Sequence, residues 1–483
     1  MTNIWQKRWQ GPGGFGQVLA LAVPLIVSTS AQTIQIFVDR MFLTWHSPDA
    51  VAASMQGGIT HWAAFSLFVG VVSYANTFVA QYVGANRPER VGPALWQAIY
   101  FSLAGGVIMW GLIPLAGPLF NAFGHSPAIR QGETVYFQIL CVGDLFYMVE
   151  TALSCFYTGR GRTTPVMLIN ILATAVNALL DYILIFGHWG APAMGIAGAA
   201  WGTVASGVVA CGVYIILLVR RKYRREYALF HARPERELFG RLLRYGLPNG
   251  LHFMLDMSAF ALFTGLVGRF GAEALQATSI AFQINMLAFM PMIGFSIAVS
   301  TLVGQALGDN NPALAVRSTW SATLMTFTYM TLIGIAYFAV PQVFIWPFAA
   351  GARAGELAAI IPTIKVLLIF IAFYCLFDTG NIIFAAALKG AGDTRFVMFA
   401  SVIFSWSLMV VPTWLSVRRG WGLYVAWTFM SGYVCVLAAI FLARFLQGRW
   451  KTMRVIEPSS PGLLPAEPEF PTIEADIPPP PAR

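Results

Sequence analysis

Twelve stretches of this chain stay apolar long enough to cross a bilayer, which takes about 20 residues of helix. They fall near residues 17–44, 50–83, 93–118, 132–158, 164–187, 194–219, 240–269, 275–307, 313–341, 356–388, 395–417 and 421–446. In hydrocarbon every backbone N–H and C=O must be paired internally, so runs of this length fold as helices. The chain is therefore expected to be an all-α polytopic membrane protein with twelve transmembrane helices. Its low charge content, 11%, against roughly 25% in soluble domains, agrees.

A net charge of +9 would suit a nucleic-acid partner, but the placement of the charges argues against one. Lys and Arg sit in short loops, where they set membrane orientation. An even number of crossings puts both termini on one side. Loops on that side hold Arg87, Arg90, Arg160, Arg162, the "RRKYRREY" cluster from Arg220, Arg317, Lys389, Arg395, and Arg444 to Arg454. The opposite loops hold Arg130, Arg269, Arg353, Arg418 and Arg419. The bias places both termini in the cytoplasm, with the chain in the cell (inner) membrane. The first run leads straight into a full-length span, so no cleaved signal peptide is expected. Cys141, Cys155, Cys211, Cys375 and Cys435 lie in apolar runs without metal-ligand spacing, and read as small buried apolar side chains.

The chain repeats itself. "VAQYVGANRP" from Val79 answers "VGQALGDNNP" from Val303, so that Gln81, Gly84, Asn86 and Pro88 match Gln305, Gly308, Asn310 and Pro312 at an offset of 224. The same offset matches "FGQVLALAVP" at Phe15 with "FGRLLRYGLP" at Phe239. Farther on, "TGRGRTTPVM" at Thr158 answers "KGAGDTRFVM" at Lys389, at an offset of 231. Each offset spans an even number of crossings, so the halves enter the membrane in the same direction. Such parallel repeats are related by an axis along the membrane normal and suit alternating access. Expected divisions are an N-lobe at 1–219, a basic cytoplasmic inter-lobe loop at 220–238, a C-lobe at 239–446, and a disordered Pro-rich cytoplasmic tail at 447–483 that turns acidic from about Val455.

Acids inside the runs need a reason. A charge near the centre of a membrane helix costs about 2.5–3.5 kcal/mol on insertion scales. Asp39, Asp144, Glu150, Asp181, Asp256 and Asp378 stand out. Helical spacing gathers polar side chains around four of them: Ser28, Gln32, Gln35 and Asp39; Asn170, Thr174, Asn177 and Asp181; Asn249, His252 and Asp256; Tyr374, Asp378 and Asn381. Each stripe must face a bundle interior or water. At 1.5 Å per residue, Asp256 and Asp378 sit roughly 18 and 16 Å from the face that carries the termini, and Asp39 and Asp181 roughly 33 and 26 Å. Two carboxylate clusters follow, one per half. The pair Asp256 and Asp378 is expected to face the space between the lobes, where an ion and a cationic dye would compete.

Carboxylate and amide oxygens suit a hard cation such as Na⁺, and buried carboxylates also carry protons. The plainer reading, hydrogen bonding between helices, fits Asp144 and Glu150 better, because they do not share a face. Arg40 points away from Asp39 and can reach the interface. His252 reads as an ordinary satisfied core histidine, one turn from Asp256. "GIAGAAWGT" at Gly195 reads as a helix-packing surface. No P-loop, HExxH or GxSxG motif occurs, so neither an ATP-driven pump nor an enzyme is expected, and no cofactor. A membrane enzyme would need clustered His or nucleophile–base groups, and His252 is the one clear histidine assigned to a span.

The chain up to about residue 446 resembles the multidrug and toxic compound extrusion (MATE) family. The resemblance rests on "PLIVSTSAQTIQIFVD", "NALLDYILIFGHWGAPAMGIAGAAWGT" and "LKGAGDTR". It implies two pseudo-symmetric six-helix bundles around a cleft, the MATE fold, exporting amphipathic organic cations in exchange for Na⁺ or H⁺, as a monomer. Asp39 is similar to the family's first-helix aspartate. Asn177 and Asp181 resemble its fifth-helix polar pair, and Thr203 the sixth-helix threonine of an N-lobe cation site. Asp256 resembles the seventh-helix acid and Asp378 the tenth-helix aspartate of the NorM-type branch. Asp181 is similar to archaeal-type sites, so the chain combines two patterns. A flippase for a lipid-linked precursor is the alternative within the superfamily. Its anionic cargo calls for a basic cleft.

Overall fold

A computed structural model describes residues 9–351 and 358–458. Twelve helices are long and apolar enough to cross a membrane. We number them α1 (Phe15–His46), α2 (Pro48–Gly84), α3 (Pro88–Asn121), α4 (Pro127–Gly159), α5 (Thr164–Phe186), α6 (Ile196–Leu218), α7 (Arg236–Phe270), α8 (Ala272–Gly308), α9 (Pro312–Ala339), α10 (Ile361–Ala391), α11 (Thr394–Arg419) and α12 (Leu423–Gln447). Boundaries shift by a few residues from the apolar runs. The third span begins at Pro88, where a proline can open a helix because its missing N–H would be unpaired there anyway. Arg353 lies outside the described residues.

Three helices are interrupted. In α3 the turn Ile113–Leu115 is a 3-10 helix. The backbone of α2 breaks at Tyr74. In α11 the segment Ser405–Val410 is a π-helix, just ahead of Pro412, which removes one i→i−4 bond and crowds the preceding turn. Pro24 and Pro248 lie inside α1 and α7, at the 224-residue repeat offset.

Burial divides the chain much as the repeat does. One apolar core gathers α2 to α6 around Phe78, Phe120, Phe156 and Tyr214. The other gathers α8 to α12 around Trp427, Phe441 and Tyr337, and also takes in Val18, Ala22 and Leu25 from the start of α1. Thus the terminal-side ends of α1 and α7 lean on the other half, while their far ends stay with their own.

The seam between the halves is built by the repeat itself. A Cβ on Gly84 would lie 1.9 Å from the Gln305 carbonyl oxygen, and one on Gly308 2.2 Å from that of Gln81. Gln81 Nε2 donates to the Gly390 carbonyl at 3.0 Å, and Gln305 Nε2 donates to the Gly159 carbonyl at 2.8 Å. Higher up, Gly70 abuts Gly250, and Gly294 abuts Ile26. Each contact has its mirror at the repeat offset. These contacts and the hydrogen bond from Thr29 to the Met290 carbonyl at 3.4 Å occupy the half of the molecule nearest the termini. Beyond Thr29, Gln32 on α1 and Met286 and Leu287 on α8 are exposed. These lobe–lobe contacts thus gather toward the terminal face.

The segment after α12 departs from the sequence expectation. Residues read as the start of a disordered tail are docked: Val455 is fully buried and Ile456 nearly so. The Val455 N–H donates to Gln81 Oε1 at 2.8 Å. Glu457 accepts from Tyr82 Oη and Arg87 Nη2, each at 2.7 Å, and from Arg90 Nε at 3.1 Å. The acidic composition hid a clamp, because the partners of Glu457 are the arginines that the sequence offers only as a topology signal. Residues 459–483, the rest of the expected tail, lie outside the described residues. The 220–238 loop is also ordered in part, with a short helix Arg221–Glu226 and with Leu229, Ala232 and Arg233 carbonyls accepting from Trp96, Tyr100 and Gln97 of α3.

Candidate functional site

In the N-lobe the stripes on α1 and α5 meet. Asn170 Nδ2 donates to Ser28 Oγ at 2.5 Å and Thr174 Oγ1 to the Ala31 carbonyl at 3.2 Å. Two turns farther along each helix, the carboxyls of Asp39 and Asp181 are close enough to interact directly. Asn177 lies between them. In one amide orientation it donates to Asp181 Oδ1 at 3.4 Å. Turned over, it donates to Asp39 Oδ1 at 2.8 Å and accepts from the Thr203 N–H at 3.3 Å. The Thr203 hydroxyl donates to Asp39 Oδ2 at 3.5 Å. Asp181 and Asn177 are fully buried and Asp39 is 8% exposed.

The glycine pattern of α6 makes room for this cluster. Gly198 packs on the backbone of Leu184, and a Cβ on Gly202 would lie 2.1 Å from Asp181 Oδ1. The "GIAGAAWGT" run is thus a packing surface, as read, and also the wall of the acid cluster. Two carboxylates in contact repel unless a proton or a cation lies between them. Two carboxylates, an amide oxygen and a hydroxyl are hard donors that suit Na⁺. Arg40 is exposed and, among the described residues, forms no ion pair.

The C-lobe acids are arranged differently. Asp256 accepts from Tyr433 Oη at 3.3 Å, and Asp378 accepts from Asn381 Nδ2 at 3.0 Å. Both bonds stay within the C-lobe. Asp256 and Asp378 are near enough to interact electrostatically, but neither bonds the other. His252 is satisfied on both sides: Lys389 Nζ donates to Nδ1 at 3.2 Å, and Nε2 lies 2.9 Å from Ser401 Oγ. With a lysine donating to Nδ1, Nε2 carries the proton and donates. The sequence reading missed Lys389, which it took as a loop charge. Its place in the last turn of α10 carries no signal that separates it from a loop charge.

Asp144 and Glu150 part ways. Asp144 is hydrogen-bonded in the buried core to His61 Nε2, at 2.9 Å and 3.0 Å to its two oxygens. His61 lies inside α2, so His252 is not the one histidine in a span. Cys141 completes a group whose ligand atoms lie within 4.8 Å of one another, but His61 and Asp144 already satisfy each other. Glu150 has no hydrogen bond or ion pair to another described side chain and lies beside Tyr147 and Tyr214. Glu133 at the start of α4 was also passed over. It is fully buried and bonded to His125 Nδ1 at 2.7 Å.

Twelve spans in two repeated bundles, each holding acids in its interior, define the class of a two-lobed membrane transporter. The MatE family model matches residues 24–183 and 248–415, and the chain belongs to that family, whose members are transporters and not enzymes. It is 30% identical over 454 residues to a probable multidrug resistance protein NorM of Pseudomonas aeruginosa, covering 91% of this chain and 90% of that one. It is 28% identical over 455 residues to a NorM protein of the same description from Mesorhizobium japonicum, covering 92% and 95%. Among solved structures it resembles the outward-facing conformation of a multidrug resistance MATE family transporter of the MOP superfamily. That match has a TM-score of 0.83 at 20% identity over 94% of this chain and 98% of that one. A MOP superfamily transporter from Pyrococcus furiosus, described as having a binding pocket of reverse polarity, matches with a TM-score of 0.82 at 20% identity, over 92% and 97%.

Proposed function

We propose that this chain is a secondary antiporter that exports amphipathic organic cations in exchange for Na⁺ or H⁺. It works as a monomer in the cell (inner) membrane, with both termini cytoplasmic. The observation that carries the reading is the buried contact of Asp39 with Asp181, ringed by Asn177 and Thr203. Such a pair is stable only with a proton or cation shared between its members, so its occupancy is tied to an ion gradient. With the termini inside, the seam at Gln81 and Gln305 closes the cytoplasmic face. An ion entering from outside would reach Asp39 about 15 Å before the Thr29 seal.

Alternating access then requires the mirrored seam to open as a rigid-body rocking of the lobes. An ion shifts that equilibrium only by its differential affinity for the two states. Relatives described as multidrug resistance proteins support the cargo class. The oxygen-rich acidic interior favours cationic over anionic cargo, which speaks against the flippase. Everted vesicles given Na⁺ and pH gradients separately test the proposal. Dye transport should follow one of the gradients and vanish in Asp39→Asn at normal protein levels. Transport indifferent to both gradients would contradict it.

A further inference from the structure

A cavity of about 230 Å³ opens at the terminal face, lined by Arg244, Tyr245, Asp393, Arg395, Met453 and Arg454. Three separate pieces of chain supply its walls: the start of α7, the turn into α11, and the docked segment that follows α12. Three of the six side chains carry positive charge. The one carboxylate, Asp393, is already committed, accepting from Arg444 Nε at 2.8 Å. Arg244 lies 5.7 Å from the centre of the Tyr245 ring. Arg454 is held by neutral acceptors only, the Lys451 carbonyl at 3.2 Å, the Met453 carbonyl at 2.7 Å and Asn310 Oδ1 at 3.1 Å. Among the described residues, none of these three arginines is in an ion pair.

We propose that this pocket binds a phosphate-bearing anion. Guanidinium groups recognise phosphate oxygens with paired, charge-assisted hydrogen bonds. Three guanidinium groups around one small cavity leave a positive charge that no ion pair among the described residues cancels. Burial pushes the Arg454 guanidinium below its ordinary value. The Tyr245 ring and Met453 give the cavity an apolar side, so a headgroup that continues into carbon fits as well as free phosphate. Basic pockets on the cytoplasmic side of membrane helices commonly hold lipid headgroups.

The position gives the anion a consequence. Arg454 is followed at once by Val455, whose N–H binds Gln81 across the seam. An anion that fixes Arg454 fixes the docked segment, and so favours the lobe arrangement seen here by its differential affinity for it.

The test uses the purified full-length protein. Binding of radiolabelled inorganic phosphate is measured at constant ionic strength with chloride as the balancing anion. In parallel, melting temperature is compared in nanodiscs of phosphatidylcholine alone and with phosphatidylglycerol. Saturable phosphate binding, weakened at least about tenfold by Arg395→Gln and by Arg244→Gln, supports a free anion. A melting shift with phosphatidylglycerol alone, lost in the same variants, identifies a lipid headgroup. Arg449 is exposed on the same face outside the pocket, so Arg449→Gln should leave either signal intact. If neither probe registers, or if Arg449→Gln weakens binding as much as Arg395→Gln, there is no site, only diffuse surface charge.

Discussion

Applying the repeat offset of 224 to Asp39 reaches Phe263, and running it back from Asp256 reaches Gln32. The offset of 231 takes Asp181 to Pro412 and Asp378 back to Tyr147. None of the four acids has an acidic counterpart in the other half. The seam behaves in the opposite way: Gln81 and Gln305, Gly84 and Gly308, Gly70 and Gly294 all keep their partners. A seam glutamine that caps a carbonyl of the other half needs its twin, because each lobe presents the same surface to the other. An acid inside one bundle touches only that bundle and is free to diverge. Symmetry is kept where the halves meet and lost where each does chemistry.

The two acid sites differ accordingly. In the N-lobe two carboxylates touch and oxygen donors surround them. In the C-lobe two carboxylates sit apart, each with its own neutral donor, and a lysine already supplies a positive charge beside His252. The N-lobe set is short of a cation and the C-lobe set is not.

The sharpest way to break this contrast is Asp39→Asn, which should reduce gradient-driven efflux to background while the protein still inserts. Drug resistance at the wild-type level in cells expressing the variant would sink the N-lobe assignment. A smaller effect is expected of Gly202→Ala, which changes no charge but pushes on Asp181 at 2.1 Å. Overpacking of this kind costs about 1–3 kcal/mol, so apparent affinity for the coupling ion should fall roughly tenfold or more, with dye binding in the absence of the ion unchanged. Ion titrations of dye transport decide it. An unaltered ion dependence would show that Asp181 has room to spare.

The smallest effect concerns the seam. Burial alone would raise the Glu457 carboxyl above its ordinary 4.5, but the Tyr82 hydrogen bond, its own backbone N–H, Arg90 and Arg87 outweigh burial and hold it lower. A lowered native value means that the clamp stabilises the protein at neutral pH and loses that contribution as pH falls below the ordinary value. Melting temperature should therefore drop more steeply as pH falls below the ordinary 4.5 in wild type than in Glu457→Gln. Parallel curves for the two proteins would show that the clamp adds nothing.

Much of this was legible in the sequence. The spans followed from apolar length alone, and the two-fold repeat from matching "VAQYVGANRP" to "VGQALGDNNP", though not that these motifs form the seam. The helical spacing of Ser28, Asp39, Asn170 and Asp181 placed α1 against α5, because a polar stripe in hydrocarbon must find another. Pairings between distant runs were not legible. Nothing in the spacing of His61 reveals Asp144, since their separation of 83 residues is set by tertiary packing. The docked segment was misread because composition averages over a window, while Val455 and Glu457 act singly. Lys389 was misread because a charge at a helix end looks the same whether it meets water or a buried histidine.

The central claim is that the coupling ion acts through the N-lobe acids. The most direct measurement is the affinity of a lipophilic cationic dye for the purified protein, titrated against Na⁺ and against pH, in wild type, Asp39→Asn and Asp378→Asn. Competition between ion and dye is reciprocal by linkage, so wild-type affinity should weaken as one of the two ions rises. The account predicts that Asp39→Asn flattens this dependence and that Asp378→Asn shifts dye affinity while leaving the dependence in place. A dependence intact in Asp39→Asn and lost in Asp378→Asn would put the exchange in the C-lobe and contradict it.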